Sequence, residues 1–480
     1  MEQIPMIIGG KRTASRSGQW IPVVNPATEE SIAEVPRGMP EDVAEAAEAA
    51  HAALPGWSRT GPAERGRLLG LCAEHVRARA DELALQLTEE QGKPLEEAHK
   101  EIGEVIRTFT YYAGAAATVL GEVAPTDSVT AKSLVFKAPV GVVTAIGPWN
   151  YPVSLLAWKI APALAAGCTL VVKPATETPL TAQAVVAALL DAGLPSGTVN
   201  LVTGYGRDIG DALIDHPLVR KISFTGSTEV GRRIMARAAA GIKRVSLELG
   251  GQCPMIVWHD ADFSRAVRDG VRRSFRNMGQ ICNSVNRLYV HRQIAEAYVE
   301  AFVRETQALR IGDGRMPAVD LGPMATRDGV AKTLEHIEDA VAKGARLLCG
   351  GRRPPHIEGS RGYFLEPAVL ADVDHSMKVM REETFGPVAP IMVVDDLEQT
   401  IALANDTEYG LVAYAYTQDL RTALTFVDRL EAGSVGINSV SVASVYAPYG
   451  GWKTSGLGRE LGRQGLESYL ELKHAVVDVT

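Results

Sequence analysis

Cysteine is scarce in this sequence of 480 residues, with only five in all. They are scattered and include no C-x-x-C pair, which excludes a disulfide framework and a zinc knuckle. We therefore expect no metal site and a reducing compartment, the cytoplasm. The five are Cys72, Cys168, Cys253, Cys282 and Cys349.

Long apolar runs and an excess of positive charge are also absent. The longest apolar run, residues 161–172, is interrupted by Gly167 and is well short of the ~20 residues that a membrane span needs. The start of the chain has an acidic residue and too short an apolar run for a secretory signal. With 49 basic and 57 acidic residues the net charge is −8, so no global field would hold a polyanion. We predict a soluble, unexported protein without a membrane or nucleic-acid partner.

Helical periodicity alternates with short β-branched runs, which predicts an α/β protein with parallel sheets. Helices are predicted at 40–54 and 63–91, and strands at 141–146, 169–173 and 221–225. Because these strands are apolar throughout, we expect them to be covered on both faces.

From residue 140 to 249 the alternating order is that of a doubly wound nucleotide-binding domain, and a second α/β unit begins after Gly250 and Gly251. Residues 352–362 are predicted as a surface loop and 440–451 as an irregular segment. Residues 469–480 end in a strand-like alternation, which we expect to pair with a distant segment or another subunit.

Cys282 follows a helical stretch that breaks at Gly279, and a new helix is predicted to begin around it. A helix N-terminus stabilises a thiolate, so this cysteine could act as a nucleophile near neutral pH. On the local pattern alone, a small buried hydrophobe is the favoured interpretation.

Glu248 ends an apolar strand, where burial would raise its pKa towards that of a general base, although a capping or ion-paired glutamate fits equally well. The turn at Gly226 and Ser227 opens another helix and could hold a phosphate. It lacks the G-x-G-x-x-G fingerprint, so by itself it is weak evidence.

Taken together, seven motifs resemble those of the aldehyde dehydrogenase superfamily, in part its succinate-semialdehyde dehydrogenase branch, from about Ile8 to the C-terminus. They are Pro148-Trp149-Asn150-Tyr151-Pro152, Val172-Lys173-Pro174, Phe224-Thr225-Gly226-Ser227, Glu248-Leu249-Gly250-Gly251, Gly279-Gln280-Ile281-Cys282, Glu382-Glu383-Thr384-Phe385-Gly386-Pro387 and Pro448-Tyr449-Gly450-Gly451-Trp452-Lys453.

The resemblance implies oxidation of an aldehyde to a carboxylic acid with NAD or NADP. Cys282 would form a thiohemiacetal and then a thioester, and Glu248 would activate the water that hydrolyses it. The side-chain amide of Asn150 and the N–H of Cys282 would hold the oxyanion. Without the resemblance, Asn150 would be interpreted as an Asx-turn residue.

By the same resemblance, Lys173 contacts the adenosine ribose, Glu383 holds the nicotinamide ribose and Phe385 packs beside the nicotinamide. From the pattern alone, Lys173 and Glu383 would be charged surface residues. Relatives that prefer NAD often carry a glutamate where this chain has Thr176, so we expect NADP to be tolerated, although Glu177 can compensate. The predicted cofactor-binding residues are Ile146, Trp149, Lys173, Thr176, Gly226, Ser227, Glu383 and Phe385.

Arg276 lies six residues before Cys282, where the succinate-semialdehyde branch has an arginine that could pair with an anionic group of the substrate. Trp158 and Ala443 replace that branch's second arginine and a serine, so the anion clamp is at best half present. Arg276 could instead pair with an acid such as Glu104, or hold the subunit structure. The predicted substrate residues are Arg276, Trp158, Tyr151, Asn283 and Tyr449, with Glu104, Thr108, Ser154, Leu155, Ile281, Ser441 and Ala443 lining or flanking the channel.

We predict two doubly wound parallel-sheet domains and a small β oligomerisation element in a homodimer or homotetramer. Residues 1–120 and 140–250 would form the NAD(P)-binding domain, 251–449 the catalytic domain, and 121–139 with 450–480 the oligomerisation element. The predicted substrate is a small polar aldehyde or semialdehyde, with an anionic one left open. The alternatives are a broad dehydrogenase of neutral aldehydes, a CoA-acylating enzyme, which Glu248 argues against, and a non-catalytic relative.

Overall fold

The computed structural model describes residues 1–357 and 359–478. Its helices are α1 (Pro40–Arg59), α2 (Pro62–Ala78), α3 (Ala80–Gln91), α4 (Leu95–Ala115), α5 (Ser154–Ala166), α6 (Leu180–Asp191), α7 (Gly206–Asp215), α8 (Thr228–Ala239), α9 (Phe263–Phe275), α10 (Arg292–Gln307), α11 (Arg327–Ala342), α12 (Lys378–Arg381), α13 (Leu397–Asn405), α14 (Leu420–Arg429) and α15 (Gly462–Glu467).

The strands are β1 (Glu2–Gln3), β2 (Met6–Ile8), β3 (Lys11–Thr13), β4 (Trp20–Asn25), β5 (Glu30–Pro36), β6 (Glu122–Ala124), β7 (Ala131–Pro139), β8 (Val142–Ile146), β9 (Thr169–Lys173), β10 (Val199–Leu201), β11 (Val219–Thr225), β12 (Arg244–Glu248), β13 (Cys253–Val257), β14 (Val285–His291), β15 (Arg346–Cys349), β16 (Ala368–Ala371), β17 (Val388–Val394), β18 (Tyr409–Gly410), β19 (Val412–Tyr416), β20 (Ser434–Ile437), β21 (Trp452–Lys453), β22 (Gly456–Leu457) and β23 (Leu470–Asp478). Short 3₁₀ turns lie at Ala116–Thr118, Arg276–Gly279 and Pro355–Ile357.

The first large sheet has the strand order β22-β12-β11-β8-β9-β10-β2-β3. Strands β12, β11, β8, β9 and β10 run parallel, and β22, β2 and β3 join antiparallel at the edges. Helices α2 to α6 cover one face, while α1, α7 and α8 cover the other. The predicted doubly wound layout is confirmed, and every residue of β9 is buried, as its continuous apolar run predicts.

The second large sheet has the order β15-β16-β17-β14-β13-β19-β20, parallel except for β15. Helices α9 and α10 pack on one face and α11 to α14 on the other. Two doubly wound α/β units therefore lie in succession along the chain. The carboxyl ends of their parallel strands are where ligands bind in such folds.

A smaller antiparallel sheet has the order β23-β7-β6. The predicted C-terminal strand thus pairs with a distant segment, in register from Leu470 opposite Pro139 to Asp478 opposite Ala131; residues 479–480 of that prediction lie outside the described residues. Several large apolar side chains on and beside this sheet are exposed, as a subunit interface would require: Leu120, Val123, Phe136, Leu472 and Val476. The predicted assembly itself stays a prediction.

Some predicted boundaries differ from the structure. The single helix expected over 63–91 is two helices, α2 and α3, which meet at Arg79 with φ −112° and ψ 15°. The apolar stripe continues through this break, so the hydrophobic period does not reveal it. The segment predicted as 450–480 divides between two sheets, because β22 pairs with β12 whereas β23 pairs with β7. The predicted domain boundaries otherwise stay predictions.

Within residues 1–357 and 359–478, no helix is both long and apolar enough to cross a membrane. The same residues contain no group of three or more histidine, cysteine, aspartate or glutamate side chains placed to hold a metal ion.

Candidate active site

Two cavities meet beside Asn150, Leu155 and Cys282, which line both of them. The larger, called here the cleft, has a volume of about 690 Å³ and opens at the carboxyl ends of β8, β9, β11 and β12. The smaller, called here the pocket, has a volume of about 200 Å³ and lies among α4, α5, α9 and residues 440–449. A ligand in the cleft and a small molecule in the pocket would therefore meet at the cysteine.

The prediction that a helix begins around Cys282 is wrong. Asn277 and Met278 take left-handed conformations with φ of 49° and 59°, and the chain then passes through a turn into β14. Without a helix N-terminus, burial dominates and raises the pKa of the Cys282 thiol to about 12. The Sγ atom lies 3.8 Å from the Tyr449 hydroxyl, which partly offsets that rise in the thiol pKa.

Asn150 lies in the turn between β8 and α5 and is only 3% exposed. Its Nδ2 donates to the Gln280 carbonyl at 2.8 Å, which leaves one amide proton for a further acceptor. Its backbone carbonyl accepts bonds from Lys93 Nζ at 2.8 Å and Asn277 Nδ2 at 3.1 Å. Lys93 is itself fixed by a buried ion pair with Glu101 at 2.5 Å. The amide is thus held rigidly next to the cysteine.

Glu248 is the last residue of β12 and is buried, as predicted from its place at the end of an apolar strand. Burial raises the pKa of its carboxyl well above the usual value, and the carboxylate of Glu460 raises it further. Glu460 accepts a 2.6 Å bond from Lys159, whose ammonium also donates to Thr225. Sequence reasoning missed Glu460 and Lys159, because they lie 301 residues apart and no local pattern connects them.

Each predicted cofactor-binding residue lies along the cleft. Lys173 Nζ donates to the Pro174 carbonyl at 3.0 Å, and burial lowers the pKa of this ammonium to about 8. The Glu383 carboxylate accepts the Gly251 N–H at 2.9 Å, and burial raises its pKa to about 7. The structure brings these residues together, and their individual roles stay predictions.

Two further features shape the cleft. Phe385 has a left-handed φ of 55° and packs edge-on against Trp149 with 5.4 Å between ring centroids. Ser227 caps α8 by accepting the Val230 N–H at 3.3 Å, so the helix begins at the wall of the cleft, where it can bind a phosphate. The cleft also has charged residues that sequence reasoning missed because no spacing marks them: Arg207, Asp211, Arg233, Asp328 and Lys332.

The pocket contains all the residues predicted for the substrate channel except Thr108, whose buried hydroxyl donates to the Glu104 carbonyl at 2.7 Å. Trp158 packs edge-on against Tyr449 with 5.4 Å between ring centroids. The sequence analysis missed these lining residues: Arg273, Val440, Val442, Ser444, Val445 and Leu461. The one signal available in the sequence for these residues was Arg273, which lies on the buried side of α9, because arginine is rarely buried without a partner.

The two arginines of the pocket have different surroundings. Arg276 Nε donates to Glu97 at 2.5 Å, so its acidic partner is Glu97 and not Glu104, which pairs with Arg107. Arg273 Nε donates to the Asn283 carbonyl at 2.9 Å and to a tyrosine hydroxyl at 3.1 Å, and its Nη2 donates to the Asn283 side chain. The acceptors of Arg273 are all neutral groups.

A thiol, an amide donor and a buried carboxylate, placed where a nucleotide-type cleft meets a small pocket, define an aldehyde-oxidising dehydrogenase. The sequence profile of the Aldehyde dehydrogenase family matches residues 13–475. The chain therefore belongs to this family and is an oxidoreductase, which confirms the resemblance found in its motifs.

The chain is similar over nearly its whole length to several named dehydrogenases. The chain is 44% identical to a 3-sulfolactaldehyde dehydrogenase of Pseudomonas putida, covering 97% of this chain and 95% of that protein. It is 42% identical to an NADP(+) succinate-semialdehyde dehydrogenase of Escherichia coli, covering 98% and 97%. A solved structure of betaine aldehyde dehydrogenase from Staphylococcus aureus in complex with NAD+ has a TM-score of 0.97 at 36% identity, covering 99% of this chain and 95% of that one.

Proposed function

We propose that this protein oxidises a small anionic semialdehyde to its carboxylic acid through a covalent intermediate on Cys282. The observation that supports this most directly is the pocket of about 200 Å³, which Cys282 lines together with two arginines. A pocket of this volume suits a small aldehyde. The relatives named for sulfolactaldehyde and succinate semialdehyde act on substrates of the same kind.

The protein uses NAD or NADP, in agreement with the NADP(+) of the Escherichia coli relative and the NAD+ of the Staphylococcus aureus structure. The cleft suits such a dinucleotide because it runs along strand ends to the beginning of α8. When bound, the oxidised nicotinamide accepts a hydride. Lys173 and Glu383 would hold the two riboses, and Phe385 would pack beside the nicotinamide.

The Cys282 thiol first gives its proton to solvent, and Sγ then forms a bond to the aldehyde carbon. The carbonyl oxygen becomes an oxyanion that accepts bonds from the remaining Asn150 amide proton and the Cys282 N–H. Loss of the hydride leaves a thioester. Glu248 takes a proton from water, the hydroxide adds to the thioester, and the S–C bond breaks to release the acid. The raised pKa of Glu248 suits this step, because a base is most effective near the working pH.

Arg276 would orient the anionic end of the substrate. Its Nε is bound to Glu97, while its Nη1 and Nη2 donate to none of the residues described, so these atoms are available to a carboxylate or sulfonate. Trp158 and Tyr449 supply an apolar wall, and Tyr151 lies beneath the Arg276 guanidinium with 5.7 Å from Cζ to the ring centroid.

The test is to measure initial rates with NAD and with NADP for succinate semialdehyde and for butanal, which has the same four-carbon chain without the charge. We expect kcat/KM to be at least tenfold higher for the anionic aldehyde and this advantage to shrink in Arg276→Ala. Arg272→Ala, at an exposed arginine outside the pocket, is the matched control. Equal rates that are insensitive to Arg276 would instead indicate a broad dehydrogenase of neutral aldehydes.

We also propose that the sheet formed by β6, β7 and β23 joins subunits into a homodimer or homotetramer. Light scattering on the purified protein tests this, with Leu472→Glu expected to weaken the assembly and a monomeric protein contradicting it. The cytoplasmic location stays a prediction.

A further inference from the structure

The charges around the pocket do not all have partners. Lys93 is paired with Glu101, Arg276 with Glu97, and Arg107 with Glu104. Arg273 differs from them, because no carboxylate in the described part of the chain lies within ion-pair distance of its guanidinium. A positive charge buried without a counter-ion is costly. Arg287 is also buried without an ion pair, but all its nitrogens donate to acceptors outside the pocket, whereas Arg273 lines the pocket and keeps Nη1 without an acceptor among the described residues.

Neutral groups hold the Arg273 guanidinium in one position. Nε and Nη2 donate to the carbonyl and the side-chain oxygen of Asn283, and Nε also donates to the Tyr414 hydroxyl. Tyr414 in turn donates to the same Asn283 carbonyl at 2.8 Å. Arg273 is 9% exposed, and its Nη1 donates to no residue that the structure describes. The side chain is therefore fixed and keeps both its charge and one free donor group.

Arg273, which carries this free donor, and Cys282 line the same pocket, and the size of that pocket limits the length of the substrate. Asn283, which holds the guanidinium, directly follows Cys282 in the chain, and Arg273 and Cys282 line the same pocket. An anion held by Arg273 and a carbonyl carbon at Sγ would consequently both lie within this one pocket of about 200 Å³. A short aldehyde with an anionic end matches this arrangement and the small volume of the pocket.

Arg276 attracts an anion less strongly than Arg273 does, although both arginines line the pocket. Its charge is neutralised by Glu97, so the pair attracts an anion much less than a lone guanidinium does. The two arginines thus differ in what they offer: Arg276 presents oriented donors, and Arg273 adds an uncompensated positive charge.

We propose that Arg273 is a specificity-determining residue whose guanidinium binds the carboxylate or sulfonate at the far end of a short aldehyde. This inference rests on the proposed function and deepens it by naming the counter-ion of the substrate. It accounts for a buried arginine that makes no structural ion pair among the residues described.

Matched variants test the proposal by turnover. Arg273→Met is expected to lower kcat/KM for succinate semialdehyde at least tenfold more than that for butanal, mainly through KM, and Arg273→Lys to restore part of the selectivity. Arg272→Met removes the neighbouring exposed arginine of the same helix and is the control. If the wild type prefers anionic aldehydes and Arg273→Met keeps that preference, the proposal is overturned while the proposed function stands.

A second measurement does not depend on turnover. Iodoacetate and iodoacetamide alkylate the same thiol but differ in charge, so the ratio of their rates at Cys282 reports the attraction of the pocket for an anion. We expect the iodoacetate to iodoacetamide ratio in the wild type to exceed that of free cysteine and to fall at least threefold in Arg273→Met. A persisting Arg273-dependent ratio in an enzyme without anionic preference would contradict the proposed function and support the anion site.

The alkylation rates also detect a different role for Arg273. Its charge helps to lower the pKa of the Cys282 thiol, against the larger effect of burial. If Arg273→Met slows both reagents equally and leaves their ratio unchanged, the arginine acts on the thiolate and not on the substrate, and the proposal fails.

Discussion

The cleft and the pocket share Cys282, yet they are built in different ways. The cleft is formed by successive strand ends and the turns that follow them, so its wall follows the order of the chain. The pocket takes side chains from α4, α5 and α9 and from the irregular residues 440–449, which are far apart in sequence. The regular region is the one that a whole family can share, and the assembled region is the one in which substrates are distinguished.

The polar groups of the cleft and of the pocket also differ, in whether they have hydrogen-bond partners. In the cleft, the Glu383 carboxylate and the Lys173 ammonium each have a backbone partner. Around the pocket, the Tyr151 hydroxyl and the Trp158 indole N–H are buried without a hydrogen-bond partner among the described residues. Unmet buried donors cost free energy, so these two groups do not stabilise the fold, unlike the partnered groups of the cleft.

The largest expected effect is at the junction that the two cavities share. Cys282→Ser replaces the thiol by a much weaker nucleophile and should lower turnover at least about a thousandfold for every aldehyde. The cleft should be unaffected, so dinucleotide affinity, measured by fluorescence titration, is expected to change less than twofold. Substantial residual oxidation by this variant would show that Cys282 is not the nucleophile.

A smaller effect is expected at the carboxylate on the cleft side of the junction. Glu248→Gln keeps the shape of the side chain but removes the base, so the steady-state rate should fall roughly 10²- to 10⁴-fold. Rapid-mixing experiments should still show a burst of reduced nicotinamide, because hydride transfer precedes hydrolysis. Loss of the burst as well would place Glu248 in the first half-reaction. Glu338→Gln, at an exposed carboxylate that lines neither cavity, is the matched control.

The smallest effect concerns the cleft alone. Thr176 lines it and donates to the Gly204 carbonyl at 3.2 Å. Thr176→Glu would place a carboxylate against the extra phosphate of NADP, so kcat/KM with NADP should fall about tenfold relative to NAD, a difference of about 1.4 kcal/mol. The preference between anionic and neutral aldehydes should stay the same, and a change in it would show that the cavities are not independent.

The same contrast explains what could be predicted from the sequence. Glu248 and the turn at Gly226 were singled out because apolar strands followed by turns mark the edge of a parallel sheet, whereas Lys173 was assigned by resemblance alone. The predicted environment of Cys282 was wrong because Asn277 and Met278 take left-handed conformations. Asparagine favours this region and was a signal that went unused, whereas methionine rarely adopts it. These two residues turn the chain directly into a strand, where a new helix had been expected.

Most residues of the pocket were predicted from the family resemblance, but the partners of its charged side chains were not. Glu97 lies 179 residues before Arg276, and the acceptor Tyr414 lies 141 residues after Arg273. The Glu97 contact depends on how the two α/β units pack together, and the Tyr414 contact on how α9 packs against β19 within the second unit. Neither helical periodicity nor motif spacing could therefore assign these partners.

The last part of the chain contributes to every region considered above. Tyr449 lines the pocket, β22 completes the edge of the first sheet beside Glu248, Glu460 sets the charge around that carboxylate, and β23 joins the small sheet. During synthesis from the N-terminus, both α/β units can form before these residues leave the ribosome. The nascent enzyme would then remain inactive until residues 449–478 have been synthesised and have joined both units.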